Sequence, residues 1–290
     1  MCLLDKDRMK EFDIPSIDRT QIVSGNGTIP IVLHLPHNSM YTPTDYEFSL
    51  STEAQKVEIF RLIDHHTDRL FSPFLERGCM QILNPFCRMY FDPERFADPE
   101  KEAMNKIGMG VFYTHTTNGL RFRSDDTAEK YEQKIKRLYL PYHKIFYDVC
   151  IQTIKKFGFC IVIDGHSYAK DILPYERFPT DRRPEIDLGT DDQHTPSWLQ
   201  ECSHEVFSAA GFSVEYNQPY RGTLVPLPLY GDRRLSSLML EIRRDVYLQY
   251  DPYEKGLVLL DEEKVAFFHT VLHRLIDRLQ EKTDRDSILQ

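Results

Sequence analysis

An α/β fold is predicted for this 290-residue chain, with a mixed, mostly parallel sheet between two layers of helices. Short apolar segments typical of buried strands alternate with longer segments in which apolar residues recur at helical spacing. Such strands need helices on both faces, which predicts a three-layer sandwich. The length suits one hydrophobic core, and no repeat, low-complexity block or linker interrupts the sequence. A single domain over residues 1–290 is therefore expected.

Three apolar segments carry the strongest strand signal. Residues 29–35 form a short run rich in β-branched residues that ends at Pro36. Residues 157–164 form the clearest buried strand, and residues 237–242 carry one carboxylate, Glu241. Weaker strands are expected over residues 80–83 and 212–216, and a short strand or an extended loop over residues 88–95.

Helical spacing marks four further segments. One continuous amphipathic helix is expected from Thr52 to about Arg77, where Phe60, Phe71 and Phe74 recur on one side. The other helices are expected over residues 131–156, interrupted or kinked at Pro141, and over residues 197–210 and 264–280. Residues 99–125 and 170–195 are expected to form irregular loop layers.

Composition excludes several classes of function. With 36 basic and 45 acidic residues, the net charge of −9 argues against a general nucleic-acid binder, which needs a basic face. The six cysteines are scattered without a CxxC pair, so a reducing compartment is expected. The N-terminal residues 1–12 do not resemble a secretory signal, and no apolar run is long enough to span a membrane. A soluble, cytoplasmic protein with no membrane partner is expected.

Polar residues at the carboxyl ends of the predicted strands are the first candidates for chemistry, because ligands of open α/β sheets bind there. His37 follows the first strong strand, His166 follows the second, and Glu241 interrupts the third. Asp64 is a further candidate at the edge of the apolar stripe of the first helix. Asp68 lies one turn further on and is the alternative carboxylate.

Two imidazoles and one carboxylate are the protein ligands of many catalytic zinc sites, and a nearby Glu241 would serve as general base. Each residue also has a structural interpretation. Either histidine could be a hydrogen-bonded structural residue, Asp64 could pair with Arg61 or His65, and Glu241 could pair with Arg243 or Arg244.

Motifs of competing enzyme classes are missing from the sequence. It contains no HExxH, GxSxG, Walker or GxGxxG motif. Ser39 and Ser167 lie close to proposed ligands, but no nucleophile elbow surrounds either of them. A serine-hydrolase mechanism is therefore disfavoured.

Seven short motifs, in the same order, resemble the N-formylglutamate amidohydrolase family over about residues 30–250. They are LPHNS (35–39), IDHHTDRLF (63–71), RMYFDPER (88–95), LPYH (140–143), DGHS (164–167), PYRG (219–222) and LEIRRDVYL (240–248).

The resemblance implies a phosphorylase/hydrolase-like, zinc-exopeptidase-like sandwich that holds one zinc ion above the strand ends. Carried over residue by residue, it implies His37, Asp64 and His166 as zinc ligands and Glu241 as the general base. The reaction of the family removes formate from N-formyl-L-glutamate in histidine breakdown.

A small dianionic substrate requires fixed cations, and guanidinium groups bind carboxylates in a bidentate manner. Arginines inside the matching motifs are the expected ligands, although Arg95 could instead form a salt bridge with Asp92. The expected substrate-binding residues are Arg88, Arg95 and Arg221, with Arg244 behind them, and His143, Asn217 and Tyr220 as further hydrogen-bonding groups.

The chain departs from the usual family pattern at three places. This chain has PHNS where the family usually has PHSG, and DGHS where the family usually has DLHS. It has DPER at a position where the family more often has an asparagine before the arginine. None of these changes removes a proposed zinc ligand, so they bear on the choice of acyl amino acid. A carboxypeptidase-like or deacylase activity on another small amide is the first alternative. A binding protein without turnover is the second.

Overall fold

A computed structural model describes residues 15–43, 49–176, 180–249 and 259–284. The N-terminal residues 1–12, in which no secretory signal is expected, lie outside the described residues. The described strands are β1 (Val23–Gly25), β2 (Ile31–Leu35), β3 (Met80–Leu83), β4 (Cys160–Tyr168), β5 (Ile186–Gly189), β6 (Val214–Tyr216) and β7 (Leu235–Arg243).

The described α-helices include three short ones, and α5 continues directly into α6 through a π-helical stretch, Ile135–Tyr139. Helix α2 begins after Ser51, whose side chain accepts a hydrogen bond from Ala54 N, and α6 ends at Gly158 in the left-handed conformation that favours glycine. The helices are α1 (Arg19–Ile22), α2 (Thr52–Leu62), α3 (Thr67–Leu70), α4 (Ser72–Glu76), α5 (Ala128–Lys134), α6 (Leu140–Phe157), α7 (Ser197–Ala209) and α8 (Glu262–Asp284).

The strands form one seven-stranded sheet in the order β1-β3-β2-β4-β7-β5-β6. β1 pairs antiparallel with β3, and β5 pairs antiparallel with β7, while the other neighbours are parallel. The predicted mixed, mostly parallel sheet is thus confirmed. Because β2, β4 and β7 are parallel neighbours, their carboxyl ends meet at the same edge of the sheet.

Helices cover both faces of the sheet, as the predicted three-layer sandwich requires. Helix α6 packs against β2 and β4 on one face, where Val32 and Val162 join the core. Helices α3, α4, α7 and α8 cover the other face, where Leu33, Ile163 and Leu240 are buried. The faces alternate because successive side chains of a strand point to opposite sides.

The predicted continuous helix from Thr52 to Arg77 is wrong. The chain leaves the helix after Leu62, and His66 adopts a left-handed conformation with φ of 54°. The backbone N–H of Asp64 donates to the carbonyl of His37, 2.9 Å away, instead of to a helical carbonyl. A tertiary hydrogen bond thus takes the place of the helical pattern that the apolar spacing predicted.

Other differences concern strands. β1 has no counterpart among the predictions, and β5 lies inside the predicted irregular stretch 170–195. Residues 88–95 form turns rather than a strand, and β4 continues through Gly165, His166 and Ser167 instead of ending before them. None of the helices in the described part of the chain combines the length and apolar character that crossing a bilayer requires.

Candidate metal centre

Three of the predicted site residues meet at the carboxyl edge of the sheet. His37 follows β2, His166 lies near the end of β4, and Asp64 lies in the break between α2 and α3. One nitrogen or oxygen atom from each lies within 4.8 Å of the others, and all three residues are buried. Asp68 is exposed, so the structure places Asp64 beside the histidines, from a loop and not from a helix face.

Both histidines present the same ring nitrogen to the carboxylate of Asp64. Its Oδ2 lies 3.1 Å from Nδ1 of His166 and 3.7 Å from Nδ1 of His37. Nδ1 of His37 is buried and has no hydrogen-bond partner. Buried polar atoms are rarely left without a partner, and two imidazole nitrogens with one carboxylate oxygen are ligands that zinc accepts. The donor set therefore fits a divalent cation.

Carboxylates hold the opposite sides of both rings. Nε2 of His37 lies 3.0 Å from Oδ1 of Asp92, and Nε2 of His166 lies 3.2 Å from Oδ1 of Asp164. Such carboxylate–histidine pairs fix the tautomer and orientation of metal-ligating imidazoles. From the sequence, Asp92 was considered only as a salt-bridge partner of Arg95, and Asp164 was given no role. Their places within the DPER and DGHS motifs were the only available signal.

The charges around the cluster favour a cation. Burial alone would lower the pKa of His166, but the carboxylates of Glu94, Asp164 and Asp64 outweigh it and raise the pKa well above its usual value. For Asp64 the directions are reversed. Burial alone would raise its pKa, but hydrogen bonds and charge from His166 and His37 lower it. The carboxylates around the three-residue cluster thus form an anionic environment that stabilises a positive charge.

Glu241 lies beside this cluster, on β7. It is paired in register with His166 on β4 and with Asp187 on β5. Burial raises the pKa of Glu241 well above its usual value, and the charges of Asp64 and Asp187 act in the same direction against the attraction of His166. Its Oε2 is buried without a hydrogen-bond partner. A carboxyl group with a raised pKa is suited to proton transfer near neutral pH.

The ion pairs considered for Glu241 do not form in the structure. Arg243 binds Asp245 through Nε at 2.6 Å, and Arg244 donates from Nη2 to the carbonyl of Ile63 at 2.8 Å.

A cavity of about 780 Å³ opens onto the cluster. It brings together the three proposed ligands, Glu241, the four predicted arginines and an apolar wall. The lining residues include His37, Asp64, His166, Glu241, Arg88, Arg95, Arg221, Arg244, Leu62, Leu173 and Met239.

The arginines differ in how many of their donors are free. Arg88 binds Oδ2 of Asp92 through Nε at 3.2 Å and Nη2 at 3.0 Å, and Nε of Arg95 lies 3.3 Å from the same oxygen. The salt bridge considered for Arg95 therefore exists. Arg244 is buried, and its Nε and Nη1 have no hydrogen-bond partner. Arg221 lies on the exposed side of the cavity.

The three further hydrogen-bonding candidates are engaged in different ways. His143 is not among the cavity-lining residues, because its Nε2 donates to the carbonyl of Pro93 at 2.9 Å and supports the DPER turn. Asn217 lines the cavity, but its amide binds Thr190. The hydroxyl of Tyr220 donates to Glu176 at 3.3 Å.

Comparison with known proteins identifies chains with the same fold and a matching family. An N-formylglutamate amidohydrolase from Ralstonia eutropha JMP134 has the same fold, with a TM-score of 0.73 and 22% identity over 88% of this chain and 94% of that chain. A gene product of Agrobacterium tumefaciens is similar with a TM-score of 0.63 and 18% identity, over 93% of this chain and 100% of that chain. No curated protein matches the sequence. A sequence profile of the N-formylglutamate amidohydrolase family matches residues 29–248, well over half of the chain, and the chain therefore belongs to this family.

Proposed function

We propose that the chain is a metal-dependent amidohydrolase that cleaves the amide bond of a small acidic N-acyl amino acid, with N-formyl-L-glutamate as the first substrate to test. One observation carries the proposal. A buried cluster of His37, Asp64 and His166 shares a cavity with the partnerless carboxyl oxygen of Glu241 and with several arginines. Family membership supports the same reaction class.

His37, Asp64 and His166 would hold one ion, for which zinc is the first candidate. Such an ion supplies a Lewis acid that polarises the amide carbonyl and acidifies water. Asp92 and Asp164 keep the two imidazoles turned so that both Nδ1 atoms face Asp64.

Glu241 acts as the proton carrier. Its buried carboxylate takes a proton from the attacking water and later hands it to the leaving amine. Burial raises the pKa of this group, which increases its affinity for the proton that it takes from water. The cross-strand position opposite His166 places it beside the ligand cluster.

Arginines would bind the carboxylates of the substrate. Arg88 and Arg95 share the single charge of Asp92, so the three groups together retain a positive charge. Arg244 is the strongest candidate, because two of its buried nitrogens have no partner. A carboxylate would satisfy both at once.

Zinc analysis and substrate profiling test the proposal together. The purified protein is assayed with N-formylglutamate, N-acetylglutamate and a short peptide, before and after removal of metal by a chelator. We expect one equivalent of zinc, hydrolysis of the formyl substrate, and loss of activity that zinc restores. Full activity in the metal-free protein would contradict the proposal.

The variant His166→Ala identifies the ligands. It should lose its zinc in elemental analysis, whereas His273→Ala, on the surface helix α8, should retain it. An unchanged zinc content in His166→Ala would remove this residue from the ligand set.

The size of the cavity favours a second candidate function. About 780 Å³ is at the upper part of the range for small-molecule sites and leaves room for an acyl group larger than formyl. A deacylase or carboxypeptidase-like activity would appear as faster hydrolysis of N-acetylglutamate or of the peptide.

A binding protein without turnover would retain zinc and hydrolyse none of the three substrates. Preference for the formyl substrate would support a role in histidine breakdown.

A further inference from the structure

Glu94 contacts both proposed histidine ligands from the side opposite Asp64. Its Oε1 lies 3.2 Å from Nε2 of His166, and its Oε2 lies 3.4 Å from Nε2 of His37. The side chain is 18% exposed and forms part of the cavity wall. Within the described part of the chain, no other carboxylate makes an ion pair with Nε2 of both rings.

The arrangement uses both nitrogens of each imidazole. Nδ1 of His37 and Nδ1 of His166 face Asp64, and the two Nε2 atoms face Asp92, Asp164 and Glu94. Asp92 serves one ring and Asp164 the other, whereas Glu94 bridges the two. A carboxylate can do this because each of its oxygens accepts a hydrogen bond independently, while a side-chain amide has only one acceptor oxygen.

The position of Glu94 also needs an explanation on electrostatic grounds. An acidic side chain in the wall of a cavity meant for an anionic substrate would repel that substrate if its charge were free. The hydrogen bond from Nε2 of His166 and the ion-pair contact with Nε2 of His37 offset the charge of Glu94, so the carboxylate is used by the protein itself. Glu94 is therefore more consistent with support of the histidines than with direct contact to an anionic substrate.

We propose that Glu94 is a positioning residue that holds His37 and His166 together with both Nδ1 atoms directed at the cation site, and so strengthens cation binding. This inference rests on the proposed function. It adds a shared support to the separate supports that Asp92 and Asp164 provide.

Zinc affinity of Glu94→Gln tests the inference. The wild-type protein, Glu94→Gln and Glu94→Ala are stripped of metal, and zinc binding is measured by competition with a coloured chelator. We expect binding weaker by about 10- to 100-fold in Glu94→Gln, the usual effect of losing an outer carboxylate, and at least as weak in Glu94→Ala. Glu100→Gln, an exposed glutamate on the same loop, is the matched control and should bind zinc as the wild type does.

The ring nitrogens provide an independent measurement. Nitrogen-detected NMR of the zinc-loaded protein should show both histidines with the proton on Nε2 in the wild type. In Glu94→Gln at least one of them should show exchange broadening or a mixture of tautomers. Thermal unfolding of the metal-free proteins completes the test, and the melting temperature of Glu94→Gln should stay close to that of the wild type.

Several results would overturn the inference. Wild-type zinc affinity in Glu94→Gln would do so. Weaker zinc binding would also do so if the metal-free variant lost as much free energy of unfolding as it lost free energy of zinc binding. Glu94 belongs to two further groups of potential ligands, one with His34 and Asp164 and one with His37 and Asp92. A wild-type content of two zinc ions that falls to one in Glu94→Gln would therefore make Glu94 a ligand instead. If the wild type binds no zinc at all, the proposed function fails, which this series distinguishes from failure of the inference alone.

Discussion

The two faces of β4 show how one strand can serve both stability and chemistry. Asp164 and His166 point to the face covered by α6, where Asp164 lies 2.7 Å from Nδ1 of His34. Ile163 and Gly165 point to the opposite face, where Ile163 belongs to an apolar core. The alternation of side chains along a strand separates the two roles by a single residue.

On the charged face, most of the buried imidazole and carboxylate groups pair with one another, and the partnerless atoms, Nδ1 of His37 and Oε2 of Glu241, lie at the proposed site. Imidazoles and carboxylates are paired along β2 and β4, and the ring of His34 stacks on Phe146 with centroids 4.8 Å apart. The apolar face depends on close packing alone. Substitutions on the charged face should therefore change chemistry, and substitutions on the apolar face should change stability.

The largest effect is expected for Glu241→Gln, on the charged face. The amide cannot accept the proton of water, so the rate of hydrolysis should fall by at least about 100-fold. Zinc content and melting temperature should stay close to wild type. Measurement of kcat with N-formylglutamate, together with elemental analysis, checks this expectation. Activity within a few-fold of wild type would mean that another group moves the proton.

Arg244→Gln should have the next largest effect. Removing a buried guanidinium with two free donors should cost about 1.5–3 kcal/mol of substrate binding, or roughly 10- to 100-fold in kcat/KM. The loss should appear mainly in KM. Arg221→Gln, at the exposed side of the cavity, should cost less than about 10-fold because water screens its charge. Equal losses in the two variants would show that Arg244 has no special role.

Gly165→Ala tests the apolar face. A Cβ atom at this position would lie 2.6 Å from Cδ2 of Leu35 and 3.0 Å from Cε2 of Phe71. Overpacking of this kind typically lowers the free energy of unfolding by about 1–3 kcal/mol. Urea denaturation measures the loss, and Ile163→Val serves as a comparison from which a methyl group is removed, with about 0.5–1.5 kcal/mol expected. Zinc affinity should not change in either variant, and a fall would show that the two faces are coupled.

The smallest effect is a dependence of stability on pH that arises from Asp187. Burial raises the pKa of this carboxyl to about 7, although the backbone N–H groups of Gln218 and Tyr220 donate to it at 2.8 Å. Because the pKa is higher in the folded protein than in the unfolded chain, the contribution to stability is fully present below about pH 4. It is lost as the pH rises toward about 7.

Asp187→Asn should therefore flatten the pH dependence of unfolding. Between about pH 5 and 6, the wild type should lose about 1 kcal/mol more than the variant, within the limit of about 1.4 kcal/mol per pH unit for one proton. Chemical denaturation of the metal-free proteins at several pH values measures this difference. Parallel curves for the two proteins would place the titrating group elsewhere.

Local patterns allowed much of the fold to be predicted. The strands that end near His37 and His166, and the strand that contains Glu241, follow from short apolar runs, because a strand buried on both faces must be apolar throughout. The mixed, mostly parallel sheet followed from the alternation of strands and helices. β5 was missed because two of its four residues, Asp187 and Gly189, weaken the apolar signal.

Asp64 shows the limit of reasoning from periodicity. The residue was chosen for its place on a predicted helix, but the helix ends before it, and a backbone hydrogen bond to His37 sets its position. Spacing along the sequence cannot reveal a break that a distant residue causes. His143 shows the converse, since its motif suggested substrate binding and the structure directs its ring to Pro93.

The sequence by itself determined the class of fold, the sheet edge at which chemistry is expected, and the residue types available there, because these depend on local apolar pattern and motif content. Only the tertiary structure decided which carboxylates support each imidazole, which arginine retains free donors, and that Glu94 bridges two histidines. Those features depend on distances of a few ångströms between residues far apart in the chain. No local pattern encodes such distances, since they arise only when β2, β4 and β7 are aligned in register.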